Sequence, residues 1–338
     1  MIMVTGGTGF VGAHLLFHLT KEGKQVKALK RPGSDITLAR KIFSYYSENP
    51  DDRFNLVQWV DGDILDYYSL TDAFEGITQL YHAAAMVSFH GKDRGRVIRI
   101  NAGVTANVVN AVLEKNVKKM CYVSTVGVLG RDNKGLTDEE TYWNASTKSS
   151  VYSKSKYEAE REVWRGIAEG LNAVIVNPSI IVGPGNWHAG SPQVFETMWK
   201  GLKFYTSGMN GFVDVNDVVR AMIILMEGEF SGERYIISAE NVSYKQFFDW
   251  MATAMSLPAP KYKAGPVLSG IGWRVLKLAG MLTGKKSGIT RETARTANRV
   301  YRYSNEKFIK ATGMKFTPVK ASVEKTSELF LRDMKRKR

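Results

Sequence analysis

Apolar runs recur along the first half of the chain at residues 2–4, 25–29, 56–60, 79–82, 119–124 and 173–176. Each is short and nearly continuous in hydrophobicity, the pattern of a strand buried on both faces. Between them apolar residues return at helical spacing over residues 13–22, 69–74, 101–115 and 152–170, with Gly23 and Gly170 placed as helix stops. This alternation predicts an α/β fold, a doubly wound parallel sheet covered by helices on both faces.

After about residue 177 the rhythm changes. Gly- and Pro-rich loops alternate with amphipathic stretches at 215–227 and 244–255, so residues 177–338 form a second, smaller region beside a core of residues 1–176. "GFVDV" and "ERYIIS" in that region have strand character and can return to the main sheet. The stretch 266–284, "PVLSGIGWRVLKLAGMLTG", approaches the length of a membrane span, but Arg274, Lys277 and several glycines within it favour a packed or interfacial helix.

Composition narrows the classes. With 44% apolar residues, a chain of 338 residues can bury a sizeable core, which excludes disorder throughout. Cys121 is the only cysteine, so no intramolecular disulfide forms; inside "KKMCYVSTV" it reads as a structural thiol in a buried strand, in a reducing compartment. The first strand starts at once in "MIMVTGG" with no secretory pattern ahead of it, and the expected location is cytoplasmic. A formal net charge of +14 attracts anionic partners without naming one. Part of it lies in the end, "FLRDMKRKR", which reads as a solvated terminus more readily than as an electrostatic tether. No nucleic-acid-binding motif accompanies the charge, so no such partner is expected, and contact with a membrane surface stays open. No His/Cys/carboxylate cluster points to a metal site.

Directly after the first strand stands "VTGGTGFVGAHLL", with Gly6, Gly9 and Gly12 at the turn into a helix and Phe10 and Val11 at its start. Such a turn lets backbone N–H groups approach a pyrophosphate, and the helix N-terminus adds partial positive charge. Its setting between strand and helix raises the pattern above a mere packing turn. Two residues separate the first pair of glycines, which resembles the TGxxGxxG motif of the extended short-chain dehydrogenase/reductase family. The order of motifs carries the resemblance from residue 4 to about residue 220. It implies a Rossmann-type core over residues 1–176 that binds a dinucleotide, a mainly substrate-binding region over residues 177–338, and a homodimer through the two large helices.

The end of the second strand is where NAD-binding proteins carry an acid for the ribose hydroxyls. Here "VKALKRPGSD" places Lys30 and Arg31 at that turn, where a carboxylate is absent. Two cations suit a 2′-phosphate, so NADP is favoured as cofactor and NAD is the alternative. By the same resemblance, "GDILD" nominates Asp63 and Ile64 on the adenine side, and "YHAAAMVS" nominates Ala83 and Ala84 beside the cofactor. "NAGVTANVVNAV" offers Asn101 as an organiser of the cofactor site or as a helix cap. "VIVNPSIIVGPG" brings Pro178, Ile181 and Ser179 towards the nicotinamide, while His82 reads as an ordinary strand-end histidine.

Tyr152 and Lys156 in "SVYSKSKYEAER" are four residues apart and share a helical face. Alone, the pair also fits two polar positions of a surface helix. What decides is its place after the glycine turn and after "CYVSTVGVLG", where alignment on Gly130 puts Thr125 at the family's catalytic Ser/Thr position, with Ser124 as second choice. The resemblance implies that Thr125 binds the reacting oxygen, Tyr152 exchanges the proton, and Lys156 lowers the tyrosine pKa and holds the nicotinamide ribose.

Two departures choose among family members. Val126 and Gly127 stand where a sugar dehydratase has an Asp-Glu pair, and Asn210 and Gly211 where many nucleotide-sugar enzymes have Arg-Asp. "GFVDVNDV" looks more like the dihydroflavonol-reductase-like branch. The expected activity is an NADP-dependent interconversion of a carbonyl and an alcohol on a small-molecule substrate. A nucleotide-sugar epimerase with tightly bound NAD is the enzyme alternative, and a non-catalytic dinucleotide sensor the alternative of another class, against which the intact Thr/Tyr/Lys set weighs. Trp187, His188, Phe195, Trp199, Phe204 and Tyr205 fit the wall of an apolar substrate pocket or a packed core.

Overall fold

Val4 pairs in parallel with Ala28 on one side and with Tyr81 on the other, and the sheet grows outward from that strand. The computed structural model describes residues 1–87, 94–130, 135–143, 149–265 and 296–335. In the first half these form β1 (Ile2–Thr5), α1 (Phe10–Leu19), β2 (Val26–Lys30), α2 (Thr37–Tyr46), α3 (Pro50–Phe54), β3 (Val57–Asp61), α4 (Tyr67–Ala73), β4 (Gln79–His82), α5 (Arg94–Glu114), β5 (Lys119–Val123), α6 (Val151–Ala168) and β6 (Ala173–Pro178). The second half adds β7 (Ile180–Val182), α7 (Gln193–Trp199), β8 (Phe204–Tyr205), β9 (Met209–Asp214), α8 (Val215–Glu227), β10 (Glu233–Ile237), β11 (Glu240–Ser243), α9 (Tyr244–Ala254), β12 (Tyr262–Lys263), α10 (Glu306–Thr312) and α11 (Val319–Lys335).

Seven strands make the main sheet in the order β10-β6-β5-β4-β1-β2-β3, every neighbour parallel. This is the doubly wound parallel sheet that the alternation predicts, with the Rossmann-type architecture that the family resemblance implies. Of the two late segments with strand character, "ERYIIS" supplies β10 and joins this sheet, whereas "GFVDV" contributes to β9 in a separate sheet with β7 and β11. Helix starts differ from the periodic pattern. α1 begins at Phe10, directly on the glycine turn, and α5 at Arg94, because its first turns are too polar to show an apolar stripe.

Each face of the sheet has its own core. Leu15, Leu16, Ile42, Phe43, Val218 and Met222 pack on one side, and Leu70, Val108, Val112 and Val163 on the other. On that second side α5 and α6 approach closely, since a Cβ on Gly166 would lie 2.5 Å from Val109 Cγ1. Cys121 is buried, and desolvation pushes its thiol up to about 12, as expected of a structural cysteine.

A third core closes the second region. Phe212 and Phe247 stack with centroids 4.4 Å apart, and Trp187, Phe195 and Phe330 pack with them. Buried Asp333 accepts hydrogen bonds from Tyr45 Oη at 2.5 Å and Trp187 Nε1 at 2.7 Å and pairs with Lys41 at 2.5 Å, which anchors α11 to α2. Trp187 and Phe195 are therefore core residues and not a pocket wall; His188 is exposed and pairs with Glu196, and Phe204 is exposed. The apolar stretch 266–284 and the last three residues of the basic end lie outside the described residues.

Candidate active site

In an open parallel sheet, ligands bind where neighbouring strands diverge to opposite sides. Here that point is the C-terminal end of β1, flanked by β2 and β4. Thr5 and His82, the last residues of β1 and β4, stand in register there, with Thr5 Oγ1 and His82 Nδ1 2.6 Å apart. The histidine is fully buried and its Nε2 has no hydrogen-bond partner. Burial, with the Lys156 charge nearby, takes its pKa down to about 3, so the ring is neutral.

The turn after β1 requires its glycines. Gly6 has φ +77°, and a Cβ there would fall 2.7 Å from Ala84 N and 2.8 Å from the Ala83 carbonyl carbon. Gly9 donates its N–H to Gly6 O at 2.9 Å and precedes α1 as its cap residue. On Gly12, a Cβ would sit 2.2 Å from the same oxygen. Backbone therefore packs on backbone, with Ala83 and Ala84 as the facing wall and the N-terminus of α1 aimed outward. A cradle with no side chains fits a pyrophosphate. Phe10 turns away to cover the later loop, its ring 2.9 Å from where a Cβ on Gly185 would be, and Val11 packs against the first core.

Towards the edge of the sheet, Lys30 forms an ion pair with Asp61. The two residues are register partners on β2 and β3, so a carboxylate missing from the end of β2 is brought in from the neighbouring strand. Arg31 is exposed and makes no ion pair among the described residues. Asp63 Oδ1 accepts the Leu65 N–H at 2.9 Å, and its own N–H donates to Ser69 Oγ at 3.0 Å, which shapes the entry to α4. Ile64 packs against the second core.

Asn101 is inside α5 and caps nothing. Its Oδ1 accepts from Met86 N at 2.8 Å, and its Nδ2 donates to Met86 O at 2.9 Å and to Ser155 Oγ at 2.9 Å. The residue thus clamps the segment after Ala84 and ties it to α6. α6 itself starts on Ser150, whose Oγ accepts the Ser153 N–H at 2.9 Å. Tyr152 lies in its first turn, and burial raises the phenol to about 12, opposite in sign to the lowering expected from a neighbouring lysine. Lys156, one turn on, is 2% exposed and donates to Tyr122 Oη at 2.7 Å and to Val123 O at 2.8 Å. Desolvation brings its pKa down to about 7 against the opposing pull of Glu160.

Thr125 follows β5 in extended conformation, and its Oγ1 accepts the Gly127 N–H at 3.2 Å. Its carbonyl accepts from Asn177 Nδ2 at 3.2 Å. Ser124 Oγ and Ser179 Oγ are buried without hydrogen-bond partners. Pro178 ends β6, and Ile181 lies in β7 with its side chain against the first core and its carbonyl accepting from Ser191 Oγ at 2.7 Å. Thr5, His82, Thr125 and Pro178 stand at the C-terminal edge of the main sheet, the glycine turn and the segment of Ala83 and Ala84 leave it there, and α5 and α6 bring Asn101 and Lys156 against those segments. Four participants were not read from the sequence. Asp61 lies just past the apolar run 56–60, Tyr122 was visible only as a strand residue, and Asn177 Nδ2 donates to Glu160 Oε2 at 2.9 Å, a link from β6 to α6 that no local pattern encodes. Among the described residues no group of three His, Cys, Asp or Glu side chains is placed to hold a metal ion, and no helix is long and apolar enough to cross a membrane.

Comparison with known proteins agrees with this geometry. Residues 2–238 match the model of the NAD dependent epimerase/dehydratase family. A protein of Synechocystis sp. named "Putative dihydroflavonol 4-reductase" is 34% identical over 269 residues, which cover 76% of this chain and 73% of that one. Cinnamoyl-CoA reductase 1 of Petunia hybrida is 26% identical over 338 residues, 96% of this chain and 90% of its own. The crystal structure of gox2253 superposes with a TM-score of 0.80 at 28% identity and covers 98% of each chain. A match across more than half of the chain, on a sheet of this order with this glycine turn, is sufficient: the chain belongs to the NAD-dependent epimerase/dehydratase family, among the extended short-chain dehydrogenases/reductases, and is an NAD(P)-dependent oxidoreductase of that superfamily.

Proposed function

We propose that the protein is an NADP-dependent reductase that interconverts a carbonyl and an alcohol on a small-molecule substrate. The observation that carries this reading is the convergence of α6 on the end of β5, where buried Lys156 is fixed one turn from Tyr152 and beside the strand that leads to Thr125. The glycine cradle, the Ala83–Ala84 wall and the Asn101 clamp are the groups of this chain that would hold the dinucleotide, with Arg31 and Lys30 at its 2′-phosphate. A bound nicotinamide supplies or accepts the hydride at the substrate carbon. Thr125 Oγ1 binds the substrate oxygen, Tyr152 gives that oxygen its proton in reduction and takes it back in oxidation, and the Lys156 ammonium favours the tyrosinate that results. The names of the two relatives, both reductases, support net reduction over epimerisation.

The Lys30–Asp61 pair favours a second reading. It partly neutralises one of the two cations and offers a carboxylate, from β3, that can accept from ribose hydroxyls, as in an epimerase that keeps NAD. Consumption of NADPH by a panel of aldehydes and ketones tests the first reading. Wild type should turn over at least one of them, and Tyr152→Phe should lose about 100-fold or more in kcat with cofactor affinity nearly unchanged. Equal turnover by the variant would remove Tyr152 from the mechanism.

A further inference from the structure

Lysine has three N–H donors and no acceptor. In this protein two of the three are committed before any ligand arrives, one to Tyr122 Oη at 2.7 Å and one to Val123 O at 2.8 Å. Tyr122 is not a surface group that happens to reach the lysine. It is the fourth residue of β5, fully buried, with its ring 5.5 Å from that of His82 and tilted 31° against it. Thr105 Oγ1 of α5 donates to the Asn101 carbonyl at 2.9 Å.

We propose that Tyr122 is a positioning residue of the active site: its hydroxyl, together with the Val123 carbonyl, holds the Lys156 ammonium against the end of β5 and leaves a single N–H donor for the ribose and Tyr152. This rests on the role given to Lys156 under the proposed function. A buried ammonium needs acceptors to stay charged, because a low-dielectric surrounding favours the neutral amine. The titratable groups that face Lys156 among the described residues are few. His82 on β4 is neutral, Tyr122 on β5 and Tyr152 on α6 are held protonated by burial, and Glu160 on α6 is the one anion. α5 presents only Thr105 and Asn101, which do not titrate. The Tyr122 oxygen is therefore one of two uncharged acceptors that keep the lysine protonated, and it fixes where the charge sits.

Tyr122→Phe removes that oxygen and little else. The test is the affinity of the purified protein for NADPH, followed by fluorescence from pH 6 to pH 10, for wild type, Tyr122→Phe and Lys156→Met. Loss of an acceptor lowers the lysine pKa, so the alkaline midpoint of binding should move down by about one pH unit in Tyr122→Phe, with affinity at pH 8 reduced about tenfold. Lys156→Met should bind weakly with no such midpoint. A midpoint unchanged in Tyr122→Phe, with Lys156→Met impaired, overturns the role of Tyr122 alone; wild-type binding and turnover in Lys156→Met would overturn the reading of the Tyr152/Lys156 site itself. If Tyr122→Phe does not fold, Tyr122→Met, which also removes the oxygen and fills the site with a flexible apolar side chain, should move the midpoint down by a similar amount, and no shift there overturns the proposal.

Discussion

Glu160 Oε2 accepts a hydrogen bond from Asn177 Nδ2 at 2.9 Å, and the same amide nitrogen donates to the Thr125 carbonyl at 3.2 Å. One side-chain amide thus connects α6, a turn beyond Lys156, to the backbone of the residue proposed to bind substrate. The other carboxylate oxygen of Glu160 accepts from Trp164 Nε1 at 3.2 Å and faces Arg234 at 3.3 Å, and Arg234 in turn donates to the Glu139 carbonyl. Glu160 is almost fully buried, so its removal leaves Arg234 without its anion and Asn177 Nδ2 with only the Thr125 carbonyl as acceptor. Glu160→Ala should cost about 3 kcal/mol in urea denaturation. Glu160→Gln, which retains one acceptor, should recover part of that loss. Equal stability of Glu160→Ala and wild type would show that the link carries no weight.

The glycines divide into those the backbone requires and those it does not. Gly12→Ala would put a methyl group 2.2 Å from Gly6 O, so the glycine turn must open and the cradle is lost. A Cβ on Gly103 of α5 would have nothing within 4 Å, and Gly103→Ala should stabilise the helix by about 1 kcal/mol. Thermal melts with and without NADPH distinguish them. The first variant should melt lower and show no shift on adding cofactor, and the second should melt as high as wild type or higher and keep the shift. A cofactor-dependent shift retained in Gly12→Ala would argue that the dinucleotide sits elsewhere.

Stability should fall on mild acidification. His14 and His82 are fully buried and have folded-state pKa values of about 3, against 6.5 when unfolded. Between those values the unfolded chain binds more protons than the folded one, so the stability present above pH 6.5 declines as pH falls towards 3. Each histidine contributes a slope approaching about 1.4 kcal/mol per pH unit once the unfolded form is protonated. His14 is held by Pro184 O at 2.9 Å and Tyr46 Oη at 3.0 Å. Denaturation midpoints measured from pH 7 to pH 5 should decline in wild type and less steeply in His14→Gln. The same slope in both would mean that His14 is protonated in the folded protein.

What the sequence made legible follows from what is local. All six strands of the first half were readable within two residues, since a parallel strand buried on both faces is a continuous apolar run. The glycine turn was readable because its steric demands fall on residues close in the chain. α2 and α3 went unread, as the polar stretch 47–53 masks the few apolar positions, Ala39, Ile42, Phe43 and Phe54, that face the core. Site features that depend on register or on helix placement were hidden for another reason. The pairing of Lys30 with Asp61 needs the β2–β3 alignment, and the grip of Tyr122 on Lys156 needs the angle at which α6 crosses β5. The aromatic residues at 187 and 195 show the converse, since composition left a pocket wall and a packed core both open, and burial of Trp187 against Phe330 and Phe195 makes them core.

The cofactor preference is the most direct point of attack on the account. Nucleotide-free protein titrated with NADPH and with NADH, in wild type and in Arg31→Ala, reads it without knowledge of the substrate. Arg31 is the exposed cation left unpaired by Asp61, and a charge-assisted contact with a 2′-phosphate should make NADPH bind about tenfold or more tightly than NADH in wild type. Arg31→Ala should lose most of that preference while NADH affinity stays the same. Equal or tighter binding of NADH by wild type, or release of NAD on denaturing the protein as purified, would contradict the NADP-dependent reductase and favour the carboxylate of Asp61 as the partner of the ribose.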